Sequence, residues 1–310
     1  MNQSTAVPHT LEERLRAGRF VLTAELAPPV SFDADDLRRK AAPLKGLPDA
    51  VNVTDGAGAR AHMAALAAAS ILKGMEIEPI LQITCRDKNR IAIQSEMMGA
   101  AALGIRNMLL LTGDDPKAGD QPDTKPVFDI NSATLIETAR RLRDEGTLPT
   151  GRKVDGKAAF FIGAADMPID PAADWQPKSL LGKIASGAQF AQTQFCMDAG
   201  IVRRYAAVLE KAGVTKQLAL IIGVNPLRSA KSAQWMKSHL FGTIIADDLI
   251  ARMEKASDPG QEGIAICVEL IEELATIPGV AGVHIMAPGN DAAIPHVIAQ
   301  VRARVKNATL

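Results

Sequence analysis

Short runs of β-branched or otherwise apolar residues recur along the 310-residue chain. They fall at Phe20–Leu26, Ala50–Thr54, Pro79–Thr84, Asn107–Thr112, Ala158–Gly163, Gln189–Phe195, Leu218–Gly223 and Ala281–Met286. Between them, apolar positions return every three or four residues, the spacing of one helix face, over Ala34–Lys45, His62–Lys73, Lys88–Leu103, Asn131–Glu145, Ile201–Ala212 and Ala292–Val305. Gly46, Gly74, Gly104, Gly146, Gly187 and Gly213 stand where a left-handed cap would end a helix.

Near-continuous apolar strands alternating with helices predict a parallel sheet covered on its outer face. Eight such units closed on themselves give an α/β fold, a single (β/α)8 TIM barrel spanning residues 1–310. Leu11–Ala17 adds an N-terminal helix after a flexible tail at residues 1–10, and a helical insertion separates strands seven and eight. That insertion, Pro226–Pro278, is too long for one crossover and should hold two or three helices, including Ala246–Lys255 and Glu262–Thr276. An open doubly wound sheet is the structural alternative. Its dinucleotide-binding form carries a GxGxxG turn, whereas Gly56-Ala57-Gly58 lacks the third glycine and reads equally well as a tight turn into a helix. The polar, proline-bearing stretch Asp114–Pro126 reads as a lid or binding loop.

Charge narrows the possible partners. Thirty-five basic residues balance 35 acidic ones without a basic cluster, which argues against nucleic acid or an anionic membrane. No apolar run reaches the roughly 18 residues that span a bilayer. The polar opening MNQSTAVPHTLEERLRAG lacks the order of a signal peptide, so a cytoplasmic location is expected. Cys85, Cys196 and Cys267 form neither a disulfide framework nor a metal-ligand spacing; they read as small buried hydrophobes, and no metal is expected. Aromatic residues, at 4%, are too few for a site built on stacked rings. The apolar side of Ile264–Ile277 is either a contact in a homo-oligomer or a helix face packed on its own barrel.

In a TIM barrel the chemistry gathers where strands end. Glu25 lies in an apolar run that Pro28-Pro29 terminates. A carboxyl group among apolar neighbours is disfavoured in its charged form and can act as a general acid near neutral pH, although a structural, salt-bridged glutamate fits the same pattern. Asp114 follows Thr112-Gly113, where glycine permits close approach to a ligand; a turn-capping aspartate is the plain alternative. Gln192 and Gln194 alternate onto one side of their strand, as readers of a heterocycle or as partners of barrel backbone. Lys183 is a candidate phosphate partner or a solvated helix lysine. His284 is read as part of the barrel wall and not as a catalyst.

Glu25 in AELAPP, VNVTDGAG at 51–58, LQITCRD at 81–87, LLLTGDDP at 109–116, VFDINS at 127–132 and the stretch from Lys183 through GAQFAQTQFCMD occur in this order. Together they resemble the catalytic domain of the methylenetetrahydrofolate reductases over about residues 15–300. The resemblance implies a TIM barrel that binds FAD, is reduced by NAD(P)H, and converts 5,10-methylenetetrahydrofolate to 5-methyltetrahydrofolate, in the methionine branch of one-carbon metabolism. The reverse direction, oxidation of the methyl compound, is open to the same site. By motif position Glu25 is the implied general acid, Asp114 lies between flavin and pterin, and Gln194 and Asn290 meet the folate. Thr54, Ala57, Gln82, Thr112, Gly113, Asp114, Asp129, Ala165 and Lys183 are the implied FAD contacts. Gln82 and Thr112 replace a histidine and an arginine common in the family, removing positive charge from the flavin site. Asn290 stands where some members carry arginine, and QFCMD thins an aromatic wall. These departures motivate a second role, a folate-binding barrel subunit of a methyl-transfer complex with little or no flavin. A Schiff-base aldolase ranks last, because no lysine ends a strand inside the expected mouth.

Overall fold

The computed structural model describes residues 9–305. Eight parallel strands close into a barrel: β1 (Val21–Leu26), β2 (Ala50–Val53), β3 (Pro79–Thr84), β4 (Asn107–Leu111), β5 (Phe161–Asp166), β6 (Phe190–Met197), β7 (Ala219–Val224) and, after a two-residue β8 (Ile244–Ile245), β9 (Val280–Ile285). Neighbours pair in chain order from β1 to β7, and β9 inserts between β7 and β1 to complete the ring. The helices lie outside: α1 (Leu11–Arg16), α2 (Ala34–Ala41), α3 (Ala65–Gly74), α4 (Arg90–Ala102), α5 (Ser132–Asp144), α6 (Lys178–Ser186), α7 (Ala199–Lys211), α8 (Ala230–His239), α9 (Asp247–Glu254), α10 (Pro259–Leu274) and α11 (Ala293–Val305). This is the expected (β/α)8 TIM barrel with its added first helix and its insertion before the last strand. Of the expected tail, residues 1–8 lie outside the described residues, while Thr10 caps α1 reciprocally with Glu13.

Several boundaries differ for physical reasons. β5 begins at Phe161 rather than Ala158, because Phe161 N–H bonds Arg106 O at 2.9 Å and sets the register with β4; Asp166 thereby becomes the last residue of the strand. The helix expected over Ala34–Lys45 stops at Ala41, where Pro43 forces a 3-10 turn over Ala42–Leu44. Five of the six candidate caps adopt positive φ, but Gly74 remains helical and Glu76 (φ 62°) makes the reversal. Gly56-Ala57-Gly58 leads into a short 3-10 turn, and α3 starts only at Ala65. The insertion holds three helices, and β8 extends the end of β6 by pairing Ile244 with Cys196. α10 buries Ile264, Cys267, Ile271 and Leu274 within its own fold, which removes it as an exposed subunit contact.

The lower barrel is apolar. Leu11 of α1 closes it from below, in one cluster with Val21, Ala50, Ile80, Leu109, Phe161, Phe190 and Ile221. Phe161 and Phe190 stack at 4.9 Å, and a Cβ on Gly163 would collide with the Phe190 ring. The α1 N-terminus rests on a carboxylate: Leu11 N–H donates to Glu78 Oε1 and Oε2 at 3.0 and 3.1 Å, and Asn107 Nδ2 donates to Oε1 at 2.7 Å. Burial nonetheless raises the Glu78 pKa above its ordinary value. With the bottom sealed, access to the interior is from the C-terminal end of the strands.

Candidate active site at the C-terminal mouth

Above the apolar layer, polar side chains fill the barrel. Asn52 Nδ2 donates to Gln192 Oε1 at 2.6 Å, and Gln192 Nε2 donates back to Asn52 Oδ1 at 3.1 Å and to Thr23 Oγ1 at 3.1 Å. Thr23 Oγ1 also lies 3.0 Å from His284 Nδ1, its register partner across the β1–β9 seam. All four side chains are buried and joined by hydrogen bonds, so this layer is a packed polar platform rather than a solvent channel. Glu25, two residues beyond Thr23, points to the same interior face one level higher.

A cavity of about 900 Å³ opens above that platform. It gathers all the expected site residues except Asp129 and Asn290. Glu25 enters from β1, Thr54 and Ala57 from the end of β2, and Gln82 from β3. Thr112, Gly113 and Asp114 follow β4; Ala165 lies near the end of β5, Lys183 lies on α6, and Gln194 lies on β6. Gly113 takes φ 95°, and a Cβ there would stand 2.9 Å from Arg86 Cβ and 3.1 Å from Thr84 Cβ. Only glycine lets the chain turn here and carry Asp114 to the rim.

The two exceptions have partners elsewhere. Asp129 pairs with Arg90, Nε to Oδ2 at 2.7 Å, and that guanidinium lowers its pKa to about 2. It borders a shallower recess that meets the main cavity at Thr112. Asn290 donates from Nδ2 to Pro226 O at 3.0 Å, tying the turn after β9 to the loop after β7.

Charges on the wall are mostly committed. Asp55 accepts from Thr84 N–H at 2.9 Å and faces Lys88 Nζ at 2.9 Å, which in turn meets Glu96 at 2.6 Å. Burial opposes the Lys88 charge, but these two carboxylates outweigh it and raise its pKa. Lys183 Nζ donates to Ala165 O at 2.6 Å. Asp166 receives the Tyr205 hydroxyl hydrogen bond, yet burial still raises its pKa; the same burial, reinforced by the Asp166 carboxylate, pushes the Tyr205 phenol up. Gln194 is held by its own chain, Oε1 accepting from Phe195 N–H at 3.0 Å and Nε2 donating to Phe241 O at 3.3 Å.

Other polar atoms on the wall are left open. Thr54 Oγ1 is buried without a hydrogen-bond partner, and the side chains of Glu25, Gln82 and Asp114 form no hydrogen bond among the described residues. A hydroxyl, an amide and two carboxylates facing one cavity form a donor and acceptor set suited to a polar ligand. Their spread over several strand ends fits a long, many-contact cofactor such as a flavin dinucleotide. No group of three or more His, Cys, Asp or Glu placed to hold a metal ion occurs among the described residues, and none of their helices is long and apolar enough to cross a membrane.

Two wall residues escaped the sequence reading. Arg86 reaches the cavity with only 4% of its side chain exposed, its Nε and Nη2 bound to Asp87 at 2.8 and 2.6 Å. Its hydrogen bonds to Asp87 raise its pKa further, with Asp114 and Asp55 adding to the effect. Its available signal was its place directly after strand β3, in Thr84-Cys85-Arg86. His284 was read as wall, yet its Nε2 lies 3.9 Å from Glu25 Oε2. Only the pairing of β1 with β9 brings these residues together.

Comparison with known proteins follows the same lines. A family model described as methylenetetrahydrofolate reductase matches residues 10–302. The chain is 27% identical over 249 residues to the 5,10-methylenetetrahydrofolate reductase of Pectobacterium carotovorum subsp. carotovorum, with 75% of this chain and 72% of that protein covered. It is 23% identical over 268 residues to methylenetetrahydrofolate reductase 1 of Schizosaccharomyces pombe, with 82% and 40% covered. It spans 33% of a Caenorhabditis elegans relative, so its matches to the two eukaryotic proteins cover well under half of their lengths. Among solved structures, the EDTA monooxygenase EmoA from Chelativorans sp. BNC1 superposes with a TM-score of 0.56 at 12% identity, over 93% of this chain and 94% of that one. At this identity the likeness is one of fold.

Proposed function

The chain belongs to the methylenetetrahydrofolate reductase family, and from that premise we propose that it is an FAD-dependent, NAD(P)H-linked 5,10-methylenetetrahydrofolate reductase. The observation that carries this reading is Glu25: a strand-end carboxyl group facing a large cavity that Asp114 and Gln194 also line, without a hydrogen bond to the described chain. Bound FAD would accept a hydride from the nicotinamide and return it to the folate carbon. Thr54, Ala57, Gln82, Thr112, Gly113, Asp114, Ala165 and Lys183, which line the cavity, would hold it, and the unpaired Thr54 hydroxyl supports that fit.

Opening the folate imidazolidine ring needs a proton on the departing nitrogen, and Glu25 is the acid placed to give it. Asp114 stays at the rim, where its carboxylate accepts from pterin N–H groups and offsets the positive charge of the iminium that ring opening creates. Gln194 exchanges its contact with Phe241 O for the heterocycle. The sealed lower barrel and the paired platform keep water from reaching the site from beneath. Reversal, from methyl- to methylenetetrahydrofolate, uses the same groups with Glu25 as base.

One observation favours the second role, a folate-binding subunit without redox turnover. Four carboxylates (Glu25, Asp55, Asp114, Asp166) line the cavity against three cations, of which Arg86 is already paired with Asp87, so little charge is left for a pyrophosphate. The test is to add FAD, remove the excess, and follow the visible spectrum on anaerobic addition of NADH or NADPH and then the folate. Bleaching followed by folate-driven reoxidation supports the reductase. Folate binding without flavin uptake supports the subunit role instead.

A further inference from the structure

We infer that His284 is the positioning residue for Glu25, fixed as the Nδ1–H form by Thr23 and turning Nε2 toward the Glu25 carboxyl. The inference rests on the reductase reading for its catalytic consequence but not for its geometry. Three groups surround Thr23 Oγ1: Gln192 Nε2 at 3.1 Å, His284 Nδ1 at 3.0 Å and the backbone oxygen of Val283 at 3.2 Å. A hydroxyl has one proton and two lone pairs. Its proton goes to Val283 O, since a carbonyl only accepts. One lone pair takes the Gln192 N–H, whose orientation is set by the reciprocal Asn52–Gln192 amide pair. The remaining lone pair accepts from His284, which must therefore carry a proton on Nδ1.

With Nδ1–H committed, Nε2 is the nitrogen left to face Glu25 Oε2, at 3.9 Å. The Thr23 contact fixes the ring, and the ring edge bounds the Glu25 carboxyl on its Oε2 side. The other Glu25 oxygen stays free for the substrate. Of the remaining charged groups on the cavity wall, Asp55 is paired with Lys88, Arg86 with Asp87, Asp166 with Tyr205, and Lys183 with Ala165 O, while Lys178 is exposed at the start of α6. Asp114 faces the cavity from the turn after β4. Among the described residues His284 is the one basic group within 4.0 Å of Glu25. The residue is 2% exposed and lines the same cavity as Glu25.

Two measurements test this. Imidazole 15N spectra of the protein labelled at its five histidines, with His284→Gln to assign the signal, report the tautomer without cofactor or substrate. The expected result is a protonated Nδ1 and an Nε2 signal that shifts in Glu25→Gln. A proton on Nε2 alone, or an Nε2 signal indifferent to Glu25→Gln, overturns the inference. In the second, His284→Asn is expected to slow folate-driven flavin reoxidation about tenfold to a hundredfold, as misplacement of a catalytic group does, with reduction by NAD(P)H unchanged. His284→Gln, whose longer amide still reaches Glu25, and Thr23→Ser should retain most of the rate that Thr23→Val loses. Wild-type reoxidation in His284→Asn contradicts the inference. A wild-type protein that shows no folate-driven reoxidation sinks the functional reading instead, and the 15N spectra still decide the pairing.

Discussion

His284 Nε2 stands 3.9 Å from Glu25 Oε2, across a seam in which Thr23 of β1 is in register with His284 of β9. Residues 259 positions apart are thus neighbours because the last strand closes the barrel against the first. The same closure puts a candidate acid on a rigid strand, above a paired polar layer, at the mouth of a cavity whose other walls come from five further strand ends or loops. Rigidity of this kind holds a proton donor in place while a mobile substrate comes to it.

Positive charge on the wall should matter for cofactor affinity. Lys183→Met and Arg86→Met are each expected to weaken FAD binding about tenfold, the loss of one charge-assisted contact. Quenching of flavin fluorescence on titration measures this directly. Unchanged affinity in both would place the dinucleotide elsewhere.

The buried Asp166 predicts a pH dependence. Its folded pKa is raised by burial above the ordinary 3.8, so between the two values the folded state binds more protons than the unfolded chain. Its contribution to stability therefore falls as pH rises through that window and stays at its low level above it. Asp166→Asn removes this contribution. The difference in Tm, variant minus wild type, is expected to increase from about pH 4 upward and then level off. A difference independent of pH would contradict this.

The cysteines should be inert in the native protein. Burial pushes the Cys85 thiol up to about 11 and Cys196 to about 12, and Cys267 is raised as well. Alkylation near pH 8 is expected to leave all three unmodified until the chain is unfolded, when mass spectrometry should count three adducts.

Leu11 closes the bottom of the barrel and is fully buried. Leu11→Ala is expected to cost about 2–5 kcal/mol in chemical denaturation, while leaving flavin affinity at the opposite end unchanged. Equal stability would show that α1 does not seal the core.

Much of the barrel was legible because each level of the sequence points the same way: apolar runs, helical periodicity and glycine stops recur in the same order along the chain. Pro79–Thr84 was read to the residue. The errors arose where tertiary register overrides local pattern. Ala158-Ala159-Phe160 is as apolar as the strand that follows, and only Arg106 O decides that pairing starts at Phe161. The two-residue β8 has no sequence signal, since it exists by pairing with the end of β6. In the site, strand-end polar residues such as Glu25, Gln82 and Asp114 were readable, because a barrel sends those positions to one mouth. Asp129 and Asn290 were assigned by motif position, and the structure gives each a partner outside the cavity. Neither the role of Arg86 nor that of His284 could be read locally. One depends on how the chain turns at Gly113, the other on closure of the ring.

The most direct test of the account is anaerobic reoxidation of the reduced, FAD-loaded protein by 5,10-methylenetetrahydrofolate, in wild type and in Glu25→Gln. The prediction is rapid return of the oxidised flavin spectrum in wild type, and a rate about 100-fold to 10,000-fold lower in the variant, the range expected for loss of a general acid. Reduction by NAD(P)H should be the same in both. Equal reoxidation rates in the two proteins would contradict the assignment of Glu25 as the acid.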